Sequence, residues 1–208
     1  MKRARMVIFL LLGMIVNVFA QKTSKFEVYG SAGISFPIGP ENFSKYWKMG
    51  FNFGNGIGYS LNPNLTLITY FDFNSFSLDG DKFSQALQNA GLVDPGTSIS
   101  GGGISIYTIS ENLKMTLPTG QSPVHPYICG GEGLFELSAH NMKSNNSELE
   151  GEGYSETDFS VLFGVGADIA MGERVSLFVE VKDVIGFTED ENMEIFPIKI
   201  GIIYKEGR

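Results

Sequence analysis

The feature that most constrains this chain is a period-two alternation of bulky apolar residues with small or polar ones, repeated along most of its length. From Met49 to Ser60 the odd positions carry Met49, Phe51, Phe53, Asn55, Ile57 and Tyr59, while the even ones carry Gly50, Asn52, Gly54, Gly56, Gly58 and Ser60. Side chains alternate faces in this way only along a β-strand, so the pattern predicts a strand with one bulky face and one small face. It recurs in Phe26 to Phe36, Leu65 to Asn74, Phe159 to Ile169, Val175 to Lys182 and Ile195 to Tyr204. Two less regular segments, about Ile104 to Leu117 and Tyr127 to Leu137, bring the count to eight.

The connections between these strands alternate in length. Leu61 to Asn64, Pro118 to Pro123 and Met171 to Arg174 are tight, whereas Pro37 to Lys48, Asp79 to Ser98, Ala139 to Ser155 and Phe187 to Glu194 are longer and polar. Short turns at one end and long loops at the other are the layout of an up-and-down barrel. In the second long connection Phe83, Ala86, Leu87 and Ala90 fall at helical spacing between Asp81 and Gly91, which predicts a short amphipathic helix over the barrel mouth.

The N-terminus reads differently. Lys2, Arg3 and Arg5 precede an apolar run from Met6 to Val16, and Val18-Phe19-Ala20 closes it, the layout of a cleavable signal peptide. The expected organisation is therefore a leader at residues 1–20 and one barrel domain at 21–208. Cleavage would leave 188 of the 208 residues and move the formal charge from −8 to −11, since three basic residues and no acidic ones leave. Such an acidic chain argues against nucleic acid as a partner. Cys129 is the only cysteine, so no intramolecular disulfide can form, and the two histidines, His125 and His140, do not have metal-ligand spacing. No metal and no cofactor are expected.

Periodicity alone does not say which face of each strand meets the interior. The small face carries many Gly and Ser with scattered charges, among them Glu27, Asp72, Glu132, Glu136, Asp168, Glu180, Lys182 and Lys199. Glycine on a water-exposed strand surface weakens the strand for no packing gain. Inside a narrow eight-stranded barrel, small residues make room for a few large polar ones. The expectation is an apolar face turned to lipid and an interior network of Glu27, Asp72, Glu132, Asp168, Glu180, Lys182 and Lys199. Tyr59, Tyr127 and Tyr204 then lie toward the tight-turn end of the outer face, and Phe36, Phe51, Phe73, Phe135, Phe159 and Phe196 toward the loop end, as two aromatic girdles. Cys129 falls on the same outward phase as a small apolar residue. Glu111 also falls outward, so either a bulge resets its strand or the residue sits near a membrane interface.

Taken together, the leader, the eight alternating strands, the glycine-rich inner faces and a last strand ending on an aromatic, Phe196 to Tyr204, resemble a known family. It is that of the small outer-membrane β-barrels, which includes the OmpA transmembrane domain, OmpX and opacity-type proteins. The resemblance spans about Phe26 to Tyr204. It implies an all-β, eight-stranded antiparallel up-and-down transmembrane barrel in the bacterial outer membrane, with short periplasmic turns, longer extracellular loops and a structural or adhesive role rather than an enzymatic one. The implied partners are the outer-membrane bilayer with its lipopolysaccharide, and an extracellular partner on the loops. Trp47, Phe83, Leu87, Glu189, Asp190 and Glu191 are the candidate loop contacts.

Two other readings of the residues stand beside this one. A soluble periplasmic or secreted barrel binding an apolar ligand would show the same alternation, and a lipid-modifying barrel enzyme would need a nucleophile and a base. Ser138-Ala-His140 offers that pair, but no third group orients it. Gly54-Asn-Gly56-Ile-Gly58 and Gly164-Val-Gly166 lie within strands rather than between a strand and a helix, which removes the nucleotide-loop reading. Glu189-Asp190-Glu191 is the densest acidic run in the loops and lacks the glycine and spacing of an EF-hand loop.

Overall fold

A computed structural model describes residues 26–145, 151–189 and 191–206. The expected leader lies outside them. In chain order the elements are β1 (Phe26–Gly39), α1 (Glu41–Tyr46), β2 (Gly50–Asn62), β3 (Leu65–Phe76), α2 (Gly80–Asn89), β4 (Ile99–Gly101), β5 (Ile104–Thr116), β6 (Val124–Ala139), β7 (Met142–Ser144), β8 (Tyr154–Ala170), β9 (Val175–Gly186) and β10 (Met193–Lys205). Eight strands close into a barrel in the order β1-β10-β9-β8-β6-β5-β3-β2, each antiparallel to its neighbours, with β2 returning to β1. The alternation of the sequence has become an inner and an outer face, and the predicted short turns and long loops segregate to opposite ends.

Two short strands stand above the barrel. In the β5–β6 ladder the uppermost pair is Ile104 with Ala139, and β4 pairs with β7 as Gly101 with Met142, Ser100 with Lys143 and Ile99 with Ser144. The register is unbroken between the two ladders. His140 N–H donates to Gly103 O at 2.8 Å and Gly102 N–H to Asn141 O at 3.0 Å, so β4 and β7 are the β5–β6 ribbon continued beyond the wall. It bends at Gly101 and Gly102, whose φ angles of +77° and +63° lie in the left-handed region that glycine enters without strain.

Helix α2 begins at Gly80, one residue before the Asp81 at which the sequence reading starts it, and its N-cap is Asp79, whose side chain accepts from Lys82 N–H. Gly91, at φ +69°, follows the helix as expected. Ser84 Oγ donates to Gly80 O and accepts from Ile99 N–H at 2.9 Å, which fastens α2 to β4.

Interior glycines and interior aromatics are matched across strands. Tyr127 pairs with Gly166, Phe178 with Gly201, and Tyr70 with Gly56, which also pairs with Tyr29. A Cβ on Gly166 would come within 2.4 Å of the Tyr127 ring, and one on Gly201 within 2.4 Å of the Phe178 ring. The narrow lumen thus holds large rings only where the neighbouring strand has no side chain.

One strand corrects the sequence reading. In β6 the inward positions are Tyr127, Cys129, Gly131, Gly133, Phe135 and Leu137, and the outward ones include Ile128, Glu132, Leu134 and Glu136. Glu132 is therefore not part of the interior network. Tyr127, Phe135 and Cys129 are interior residues rather than members of the outer belt. Both faces of β6 carry large apolar side chains, and Gly130, Gly131 and Gly133 erase the middle of the alternation, so its phase is set by pairing with β5 and β8.

Gly166→Val is expected to drive a branched side chain into Tyr127 and lower stability by about 1–3 kcal/mol. The adjacent outward Ala167→Val is expected to stay within about 0.5 kcal/mol. Urea unfolding of both variants in detergent checks the difference.

Candidate functional site

The lower and middle interior is a packed array of charges and phenols. Lys114 Nζ on β5 donates to both Asp168 oxygens on β8, at 2.8 and 2.6 Å. Lys199 on β10 reaches Asp72 on β3 at 2.5 Å, across the lumen rather than between adjacent strands. Lys182 Nζ lies 2.9 Å from Glu180 Oε1 on its own strand, an ion pair without hydrogen-bond geometry. The second Glu180 oxygen accepts from Tyr127 Oη at 3.1 Å and from Cys129 Sγ at 3.7 Å. Glu27 accepts from Tyr29 Oη at 2.5 Å and from Ser60 Oγ at 3.3 Å.

The rings complete what the carboxylates leave undone. Lys114 stands 4.1 Å from the Tyr127 ring centroid and Lys182 4.3 Å from that of Tyr70, so each buried ammonium faces an aromatic surface. Three lysines confront four acids, and Lys205 lies 3.9 Å from Glu27 at the turn-end rim. The interior is nearly neutral although the chain is strongly acidic. Lys114 belongs to this array and escaped the sequence reading, although continuing the inward phase of Thr108, Ser110 and Asn112 would have reached it.

Above the charges the lumen turns apolar. Phe76, Ile106, Phe135, Leu162 and Ile195 fill it, and Phe43 from α1 descends onto them with its ring 5.2 Å from that of Phe76. Trp47 packs on Phe43 and donates from Nε1 to Gly102 O at 2.9 Å. The loop-end mouth is thus stoppered by α1 and held by a bond to the bent ribbon. At the turn end the lumen opens on a polar vestibule of about 390 Å³ lined by Glu27, Lys114, His125, Asp168, Glu173 and Lys205.

The candidate loop contacts fall into two groups. Trp47 is part of the stopper, and Phe83 and Leu87 are half-buried, Phe83 sitting edge-on to Tyr46 with ring centroids 5.2 Å apart. Glu189 and Glu191 are exposed, and Asp190 lies outside the described residues. Ser138 and His140 are not brought together; His140 Nε2 instead bonds Ser105 Oγ at 3.0 Å, and among the described residues no carboxylate meets its other ring nitrogen.

The outer face carries the large apolar side chains, with Phe163 63 % and Ile57 59 % exposed. The lumen is packed with aliphatic, aromatic and charged side chains. Several acids interrupt the outer belt, among them Glu111, Glu132, Glu136 and Asp183. Glu111 is half-buried, accepts from Thr69 Oγ1 at 2.7 Å and pairs across the ladder with exposed Glu132. Asp183 lies directly opposite Phe163. No bulge resets β5, so Glu111 stays on the outward phase.

Lys199→Met leaves Asp72 buried without its cation and is expected to cost about 3–5 kcal/mol. Adding Asp72→Leu removes the orphaned charge and is expected to restore most of that loss, measured by urea unfolding of both variants.

Residues 6–205 match the family described as outer membrane protein beta-barrel domain. No curated protein matches the chain. Among solved structures, Neisserial surface protein A is 18% identical with a TM-score of 0.62, over 89% of this chain and 100% of that one. The attachment invasion locus protein Ail of Yersinia pestis is 13% identical with a TM-score of 0.49, over 86% of this chain and 99% of that one. The N-terminal barrel of Pseudomonas aeruginosa OprF is 11% identical with a TM-score of 0.47, over 88% of this chain and 100% of that one.

Proposed function

Since the chain belongs to the outer-membrane protein β-barrel family, we propose that it is a closed, non-conducting barrel of the bacterial outer membrane that displays a braced loop surface for contact outside the cell. Residues 1–20 act as the export leader in this reading and are removed after Ala20. The observation that carries the proposal is the stopper: Phe43 and Trp47 seat on the apolar upper lumen, directly above an interior in which every lysine faces a carboxylate. A continuous water path would have to cross both layers, so the scaffold serves its loops rather than transport.

The loops are suited to that role because they are organised before any partner arrives. The bent ribbon, α2 and the Asn145 side chain, which accepts from Ser98 N–H at 2.9 Å and donates to Gly96 O at 3.0 Å, tie the second and third long loops to one another. Function tends to reside in loops held by a rigid scaffold. The exposed contact set then centres on Glu189, Glu191 and the upper surface of the ribbon, while Trp47, Phe83 and Leu87 hold the display in shape. Lipopolysaccharide and the bilayer are the constant surroundings, and the role is structural or adhesive rather than enzymatic.

Purified protein in planar bilayers is expected to show no stable, large conductance steps. Replacing residues 79–102 and 140–153 by short turns is expected to leave membrane insertion and heat-modifiable gel mobility intact while abolishing surface binding to host cells or matrix. Porin-like conductance would overturn the closed interior, and undiminished binding would overturn the loop assignment.

A further inference from the structure

On the membrane-facing side of β6, β8, β9 and β10 lies a groove of about 390 Å³, lined by Ile128, Phe163, Val165, Val181, Asp183 and Phe196. Its floor is thin because Gly164 has no side chain. A Cβ there would come within 2.8 Å of Lys182 Cγ and 2.9 Å of Cys129 Sγ. The ladder is also broken beside it. Pairing of β9 with β10 passes from Ile195–Val184 to Ile198–Val181, leaving Phe196 and Pro197 unpaired opposite Asp183 and Lys182, and proline has no N–H to offer there.

The groove has a direction. Asp183 lies three residues from Gly186, the loop end of β9, with Phe163 and Phe196 on either side of it. From there the groove descends past Val181 and Val165 to Ile128 and holds no other charge on its outward wall. Asp183 Oδ1 is buried and accepts no hydrogen bond. A buried acceptor without a donor is costly, and the cost is relieved when a ligand supplies one.

The occupant is set by this place and this polarity. The groove is in the lipid-contacting belt, its acceptor is toward the outer surface and its apolar length runs toward the bilayer centre, which is the polarity of an outer-leaflet lipid. We propose that it binds one acyl chain of an outer-leaflet lipid whose hydroxyl or amide N–H, close to the headgroup, donates to the Asp183 carboxylate. The chain lies along Val181, Val165 and Ile128, between the rings of Phe163 and Phe196. A lipid with ester linkages alone fills the same length but leaves Asp183 unsatisfied, so the site discriminates by the donor and not by the tail.

The test uses the full chain, extracted and delipidated in detergent, with lipid retention read by native mass spectrometry. Ceramide phosphoethanolamine and diacyl phosphatidylethanolamine share a headgroup and differ in the amide and hydroxyl, so they are the two probes. The wild type is expected to retain the ceramide lipid about five- to tenfold better, the size of one additional hydrogen bond. Asp183→Leu is expected to bring the two lipids to parity, and Val165→Trp, which fills the groove, to lower retention of both. Heat-modifiable mobility confirms that each variant is folded. Equal retention of the two lipids by the wild type, an unchanged preference in folded Asp183→Leu, or undiminished retention in folded Val165→Trp would overturn the site.

Discussion

Eight strands closed on themselves leave a lumen that side chains alone must fill, and most features of this barrel answer to that narrowness. A ring such as Tyr127 or Phe178 is admitted only opposite Gly166 or Gly201, so glycine on one strand sets what its neighbour can carry. The buried lysines are matched: each meets a carboxylate and most also face a phenol ring. Because Lys199 and Asp72 meet across the lumen, the charges also fasten opposite walls of the cylinder. A hydrophobic lumen of equal volume would fill the space without specifying which strands face one another.

The outer surface obeys the opposite rule, since hydrocarbon tolerates almost any apolar shape and penalises polar atoms. Departures from an apolar belt therefore stand out more sharply than they would on a soluble protein. Glu111 is relieved by Thr69 from the adjacent strand, whereas Asp183 has a shielded oxygen with no donor. The two sites use the same chemical group on the same face, yet one is self-satisfied and the other is not.

Strand number, barrel closure and the segregation of turns from loops were legible because period two and loop length are both written directly in the residues. The phase of most strands was legible too, since Gly54, Gly56 and Gly58, or Gly201 with Lys199, leave no doubt about the smaller face. It failed in β6, where three glycines and apolar residues on both faces left the choice to the neighbouring strands. Lys114 and the outward turn of Asp183 were missed because each lies where a strand had been read loosely or ended early. Helix α1 and the β4–β7 extension were not legible at all: they are too short to show a period, and contacts distant in sequence, Phe43 on Phe76 and Ile99 on Ser144, hold them in place.

The β5–β6 ribbon does not stop at the rim, and this changes what the loops can transmit. One uninterrupted register runs from Ser144 and Ile99 at the tip down past Glu111 and Glu132 to Thr116 and Tyr127 at the opposite end. The glycine bend makes it a cranked lever with its fulcrum at the rim. A pull on the tip is carried by hydrogen bonds loaded in shear into the wall, where they yield together rather than one at a time. Mechanical load from an attached surface would therefore be shared across the barrel before any loop peels away.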